Sequence, residues 1–138
     1  MLNRCEFIGR LGRDLEVRNL PSGGRVVNFS LAVSERWTDK SGERKEKTTW
    51  VPVVIWDDKL GEIAERYLRK GSKCYIAGAF TTRKWTDQDG QERYTTEVVL
   101  QKFRGELVLL DGRDSSPDQP AREQRRGQRD DFDDEIPF

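Results

Sequence analysis

Hydrophobic and polar positions alternate along most of the chain, and the exceptions are as informative as the rule. From Arg4 it reads Cys-Glu-Phe-Ile-Gly-Arg-Leu, an extended run that continues past Gly12 toward Val17. Glycines at 9 and 12 permit a bulge or sharp bend, so this first strand is expected to curve strongly. Pro21, Gly23 and Gly24 mark a turn. Val27, Phe29, Leu31 and Val33 then alternate with Asn28, Ser30, Ala32 and Ser34, the period of a strand with one buried face. Trp37 to Thr48 is polar around Gly42, too hydrophilic to pack, and predicts a long flexible hairpin loop.

A third strand follows over Trp50 to Trp56. Its even positions are Trp50, Pro52, Val54 and Trp56, while Val51, Val53 and Ile55 point the other way, so the two tryptophans are expected to share a face. Leu60, Ile63, Ala64, Tyr67 and Leu68 recur at helical spacing, with Asp57 or Asp58 to cap the start and Gly71 to end it. Glu62 with Arg66 and Glu65 with Arg69 predict i, i+4 pairs on the wet side. Lys73 to Trp85 and Arg93 to Leu110 are two more extended runs, joined by a hairpin turn with its glycine at Gly90. Five curved strands with one helix between the third and fourth is the order of an all-β, five-stranded oligonucleotide-binding (OB-fold) Greek-key barrel. No internal repeat is evident.

After Leu110 the periodicity stops. Residues 1–110 are expected to form the domain, 111–129 a flexible linker with a reach of about 25 Å, and 130–138 a separate tip. The net charge of zero averages two unlike regions. Residues 1–110 hold 20 Lys and Arg against 16 Asp and Glu, a net +4; residues 111–138 hold 5 against 9, a net −4 concentrated in the tip. The body is mildly basic and the expected disordered tail ends acidic.

With two cysteines and no histidine, neither a four-ligand zinc site nor a histidine-based acid–base site can be assembled, and no cofactor is expected. Arg4, Glu6 and Arg10 interrupt the start, against a secretory signal or membrane span. A cytoplasmic protein with reduced thiols is expected, although a Cys5–Cys74 disulfide is conceivable if the first and fourth strands are neighbours.

Binding single-stranded nucleic acid regardless of sequence needs flat aromatic surfaces for bases and cations for phosphates. The candidate platforms are Trp37, Trp50, Trp56 and Trp85. The candidate cations are Arg36, Lys40, Lys45, Lys47, Lys59, Lys70, Lys73, Arg83 and Lys84. A tryptophan is as readily a core residue. Strand parity favours the exposed side for Trp50 and Trp56, because Val51, Val53 and Ile55 claim the core; it does not decide for Trp37 and Trp85, which sit where strands run out into loops.

Four stretches carry a wider resemblance: Asn19 to Ser34, Ser34 to Trp50, Tyr67 to Gly71, and Arg83 to Val99 (RKWTDQDGQERYTTEVV). Over nearly its whole length the chain resembles the bacterial single-stranded DNA-binding protein family. That resemblance implies an OB fold, usually a homotetramer, that wraps single-stranded DNA. It also implies that Trp37, Trp50 and Trp85 are base-stacking tryptophans and that Trp56 replaces a stacking phenylalanine. The chain departs from the family in having Val51-Pro52 where a histidine commonly follows the tryptophan, and in the extra residue of Asp57-Asp58. Proline lacks an N–H and is confined to an edge or bulge, which bears on subunit assembly.

The chain ends Asp133-Asp134-Glu135-Ile136-Pro137-Phe138. A solubilising tail explains the carboxylates but not the apolar end. The hexapeptide resembles the family's partner-binding terminus, which implies replication, recombination and repair proteins as partners. Carboxylates would steer toward a basic patch while Ile136 and Phe138 fill a pocket. Two rivals stand beside this reading. Asp57, Asp58 and Glu62 could hold magnesium in a nuclease, although each has an ordinary helical role; no enzyme is expected. An RNA-binding or primosome-type module could use the same platforms, since stacking does not read the 2′-hydroxyl.

Overall fold

The computed structural model describes residues 1–111, so the expected linker after Asp111 and the tip at 130–138 lie outside the described residues, while Asp111 itself accepts the Lys73 N–H at 2.9 Å. The elements are β1 (Cys5–Leu11), β2 (Glu16–Asn19), β3 (Arg25–Thr38), β4 (Arg44–Ile55), α1 (Asp58–Tyr67), β5 (Lys73–Thr86), β6 (Glu92–Leu100) and β7 (Glu106–Leu109). Hydrogen bonding runs β1–β3–β4–β6–β5 and returns from β5 to β1, closing a five-strand barrel. β2 continues the line of β1 along β3, and β7 continues β6 along β5. The fold is therefore the expected Greek-key OB barrel. Each expected long strand at its two ends is broken into two segments, once after Leu11 and once over residues 101–105.

The core follows from strand parity. Val27, Phe29 and Leu31 of β3, Val51, Val53 and Ile55 of β4, Ile76 of β5, and Val98 and Leu100 of β6 close around Leu11, Ala64 and Leu68. Each of the Val, Leu, Ile and Phe side chains among them contributes roughly 1.5–3 kcal/mol by leaving water. Pro52 pairs with Ser30 one residue before the β4–β6 ladder begins at Val53, so its missing N–H subtracts nothing from that ladder.

Several expectations are corrected. The polar stretch at 37–48 is not a flexible loop. β3 and β4 stay paired from Val27–Ile55 out to Thr38–Arg44, because Thr and charged side chains with long stems satisfy a solvated two-stranded ribbon as well as a loop. In α1, Asp57 is the cap, accepting the Lys59 and Leu60 N–H groups at 2.9 and 3.3 Å. The buried side is Gly61, Ala64 and Leu68, whereas Ile63 and Tyr67 are exposed, because the small residues let the helix sit close over Val27 and Ile55. Glu65 does not pair with Arg69. Its carboxylate meets Arg25 at 2.6 Å, while Arg69 donates to the Glu65 and Leu68 carbonyls. Glu62 and Arg66 do pair, at 3.1 Å. The helix ends at Tyr67, and Gly71, with φ +86°, serves the turn into β5 instead.

β1 and β5 are neighbours, but the register separates the cysteines. Cys5 faces Gly78 and Cys74 faces Gly9, about 13 Å apart along the ladder and beyond disulfide reach. Both are free thiols. Burial pushes the Cys74 thiol up to about 11, with Asp111 adding to the effect.

Candidate nucleic-acid interface

β4 and β6 run parallel, with Val53 beside Val98 and Ile55 beside Leu100. Each is the returning strand of a long hairpin. Because the two returning strands point the same way, the β3–β4 and β5–β6 hairpins both leave the barrel at the same end, as two arms. Counted from the shared Val53–Val98 level, Trp37 (opposite Lys45), Trp85 (opposite Arg93), Trp50 and Trp56 are spread over about 35 Å of strand rise.

All four tryptophans are between 43% and 57% exposed, so none is a core residue. Trp50 and Trp56 are exposed while Val51, Val53 and Ile55 are buried, as parity predicts. Register also decides the two cases that the sequence left open. Trp85 lies on the outer face with Arg83, Thr95 and Glu97, and its Nε1–H donates to Thr95 Oγ1 at 2.7 Å. Trp37 lies on the opposite face of its arm from Trp50, because it stands five positions, an odd offset, along β3 from Ala32, Trp50's partner. The ring of Trp50 lies over Gly12.

The arms end alike. Trp37-Thr38-Asp39-Lys40-Ser41-Gly42 and Trp85-Thr86-Asp87-Gln88-Asp89-Gly90 share the pattern Trp-Thr-Asp-x-x-Gly, a short repeat that the sequence reading missed. In each, the aspartate N–H donates to the carbonyl four residues on, and the glycine takes positive φ, +84° at Gly42 and +78° at Gly90. Asp39 Oδ1 accepts from the Ser41 N–H and hydroxyl and the Glu43 N–H; Asp87 Oδ1 accepts from the Asp89 and Gln91 N–H groups. Each aspartate also meets the cation directly opposite the tryptophan: Lys45 at 3.3 Å from Asp39, and Arg93 at 2.9 Å from Asp87. The Ser41 hydroxyl, then the Glu43 N–H, hold Asp39 below the usual carboxylate range; Arg93, then the Gln91 N–H, do so for Asp87.

The expected cations divide. Arg36 pairs with Glu46 at 3.6 Å, Lys45 with Asp39, Arg83 with the buried Glu97 at 2.9 Å, and Lys84 with Glu92 at 2.7 Å. Lys40, Lys47, Lys59, Lys70 and Lys73 make no ion pair among the described residues. Lys40 sits in the first arm's tip and Lys47 further down that arm. Lys59 lies three residues past Trp56 in the first turn of α1. Lys70 and Lys73 flank Gly71, whose N–H donates to Leu11 beside the Gly12 seat of Trp50.

Two exposed aromatic residues of the second arm went unnoticed in the sequence. Phe80 and Tyr94 are 56% and 68% exposed on the core-parity face of the β5–β6 arm, beyond the point where the barrel closes over that face. Their parity reads as core. Only the knowledge that the arm overshoots the barrel shows them to be surface. As for metal chemistry, among the described residues no three acidic or cysteine side chains gather to hold an ion. No helix among them is long and apolar enough to cross a membrane.

The sequence profile of the Single-strand binding protein family matches residues 2–113. The chain belongs to that family. Among its relatives, the "Single-stranded DNA-binding protein" of Rickettsia prowazekii (strain Madrid E) is 46% identical over 148 aligned positions, covering 99% of this chain and 97% of the relative. The protein of the same name in Rickettsia felis (strain ATCC VR-1525 / URRWXCal2) is 45% identical with the same coverage. A solved structure, "Plasmodium falciparum SSB complex with ssDNA", is 38% identical, with a TM-score of 0.73 over 80% of this chain and 96% of that one. The resemblance read from Tyr67 to Gly71 and from Arg83 to Val99 is thus family membership along the whole barrel. Within the family's fold, the two tryptophan-bearing arms are where this chain concentrates exposed aromatic surface.

Proposed function

We propose that this chain binds single-stranded DNA without base-sequence preference, as a non-catalytic scaffold. The observation that carries the reading is the set of four half-exposed tryptophans displayed along two parallel-facing arms and the barrel between them. Every base has a π-face, so such platforms accept any sequence, each stack contributing about 1–3 kcal/mol. Lys40, Lys47, Lys59, Lys70 and Lys73 supply cations that are free to meet phosphates. Arg36, Lys45, Arg83 and Lys84 first have to exchange a carboxylate for a phosphate.

The functional unit is a homotetramer in this reading. Ile8, Tyr75 and Val108 form a row across β1, β5 and β7, with Ile8 and Val108 about half-exposed, an apolar strip suited to a second copy. The tip, Asp133 to Phe138, recruits replication, recombination and repair proteins, and the protein works in the cytoplasm on the nucleoid.

Tryptophan-fluorescence titration with oligo-dT at several salt concentrations, on material of known light-scattering mass, tests the reading. Strong quenching with an affinity that falls as salt rises is expected from stacking plus counterion release. Absence of quenching sinks it. Matched RNA that competes equally with DNA moves the reading to the RNA-binding alternative.

A further inference from the structure

The turn between β6 and β7 holds a residue that neither the core nor the tryptophan surface explains. The Arg104 N–H donates to the Gln101 carbonyl at 3.1 Å, closing a four-residue turn with Phe103 in third position. Phe103 has φ +70°. Turns that need positive φ there take glycine or asparagine, because a Cβ is crowded in that conformation. Packing does not compensate, since Phe103 is 92% exposed. The turn itself is rigidly seated: Gly105 also donates to Gln101, at 2.9 Å, and a Cβ on it would stand 2.8 Å from Leu100 Cβ. An aromatic ring held against local preference and presented to water is the kind of outlier from which function is inferred.

Its neighbours indicate the ligand. Lys102 Nζ lies 5.2 Å from the ring centroid. Neither Lys102 nor Arg104 has an acidic partner among the described residues. The turn also continues directly from Leu100, whose carbonyl accepts the Trp56 N–H at 2.9 Å, so Trp56 and Phe103 belong to the same end of the barrel. A second copy seated here would have to accept two uncompensated cations. A strand of phosphates neutralises them.

We propose that Phe103, with Lys102 and Arg104, forms a further nucleotide-binding subsite, which stacks a base and neutralises its flanking phosphates, and so carries single-stranded DNA past Trp56 along the β6–β7 turn. This deepens the single-stranded DNA reading and rests on it.

Phe103→Gly in the full chain tests the subsite, because glycine suits the turn and the variant keeps all four fluorescent tryptophans. Urea stability is expected to be unchanged or raised, the light-scattering mass unchanged, and affinity for a long oligo-dT weakened by about 5- to 150-fold, the loss of one base stack. Lys102→Ala with Arg104→Ala is expected to flatten the dependence of log affinity on log salt by about 1.4. Trp56→Ala is measured alongside. Weakening by Trp56→Ala but not by Phe103→Gly overturns the subsite and leaves the wider reading standing. No effect of either, with no quenching in the parent protein, overturns both. A changed mass in Phe103→Gly makes the residue a contact between copies and overturns the proposal.

Discussion

Gly12 is the seat of Trp50: a Cβ built on Gly12 would stand 2.5 Å from Cη2 of the indole and closer still to Cζ3. Nothing but hydrogen fits beneath the ring. The bend that separates β1 from β2 therefore also orients an exposed aromatic platform, since the Gly12 N–H donates to Ser30 on the neighbouring strand at 3.3 Å. Gly12→Ala is expected to lift or rotate the indole while leaving the barrel closed. Affinity for oligo-dT should approach that of Trp50→Ala, about 5- to 150-fold weaker than the parent. A Gly12→Ala protein that binds like the parent would show that the ring's position over Gly12 is immaterial to binding.

The arm tips depend on ionised aspartates. Asp39 and Asp87 are held below their ordinary value of 3.8 in the fold, so their contribution to tip order is complete above that value and fades as pH falls through the lower folded value. Protection factors of the Ser41, Glu43, Asp89 and Gln91 amides, referenced to the intrinsic exchange rate at each pH, should therefore hold at neutral pH and fall at pH below about 3.8, before the core opens. Asp87→Ala, which removes the acceptor that asparagine would keep, should lower protection at Gln91 at neutral pH. Unchanged protection in that variant would count against the aspartate as the organiser of the turn.

Ile55 is fully buried where β4, β6 and α1 meet. Truncating it leaves a cavity among rigidly packed neighbours, so Ile55→Ala is expected to destabilise by about 2–5 kcal/mol in urea. Its oligo-dT affinity, measured well below the unfolding midpoint, should match the parent, since the residue touches none of the arms. A loss of affinity without loss of stability would contradict that separation.

Cys74 is buried and its thiol is pushed up to about 11, so at pH 8 it is both shielded and protonated. Mass spectrometry after brief alkylation should find Cys74 unmodified in the native protein and modified in urea. Non-reducing electrophoresis should show no intramolecular bridge. Rapid native labelling of Cys74 would mean that the β1–β5–β7 side of the barrel opens readily.

Deleting Ile136 to Phe138 is expected to leave DNA affinity nearly intact while abolishing capture of replication and repair proteins in a pull-down. Equal loss of both would refute that division of labour. The acidic tip should also compete with DNA for the basic body, so removal of residues 130–138 should tighten binding at low salt.

By itself the sequence determined the barrel, the chain order of its strands and helix, a helix cap at Asp57 or Asp58, and the exposure of Trp50 and Trp56, because alternation and turn chemistry are local and one buried face dictates the other. It also carried the family likeness, and the acidic, apolar tip is legible nowhere else. Only the tertiary structure decided what depends on pairing over long range. The parallel β4–β6 register sends both hairpins out from one end, while the antiparallel β3–β4 pairing extends what read as a loop into a ribbon and puts Trp37 and Trp50 on opposite faces of one arm. The β1–β5 register keeps Cys5 and Cys74 apart on adjacent strands, and the long β5–β6 hairpin leaves Phe80 and Tyr94 in water despite core parity. Local pattern says which side of a strand is apolar; it does not say how far the strand runs beyond the core that would cover it.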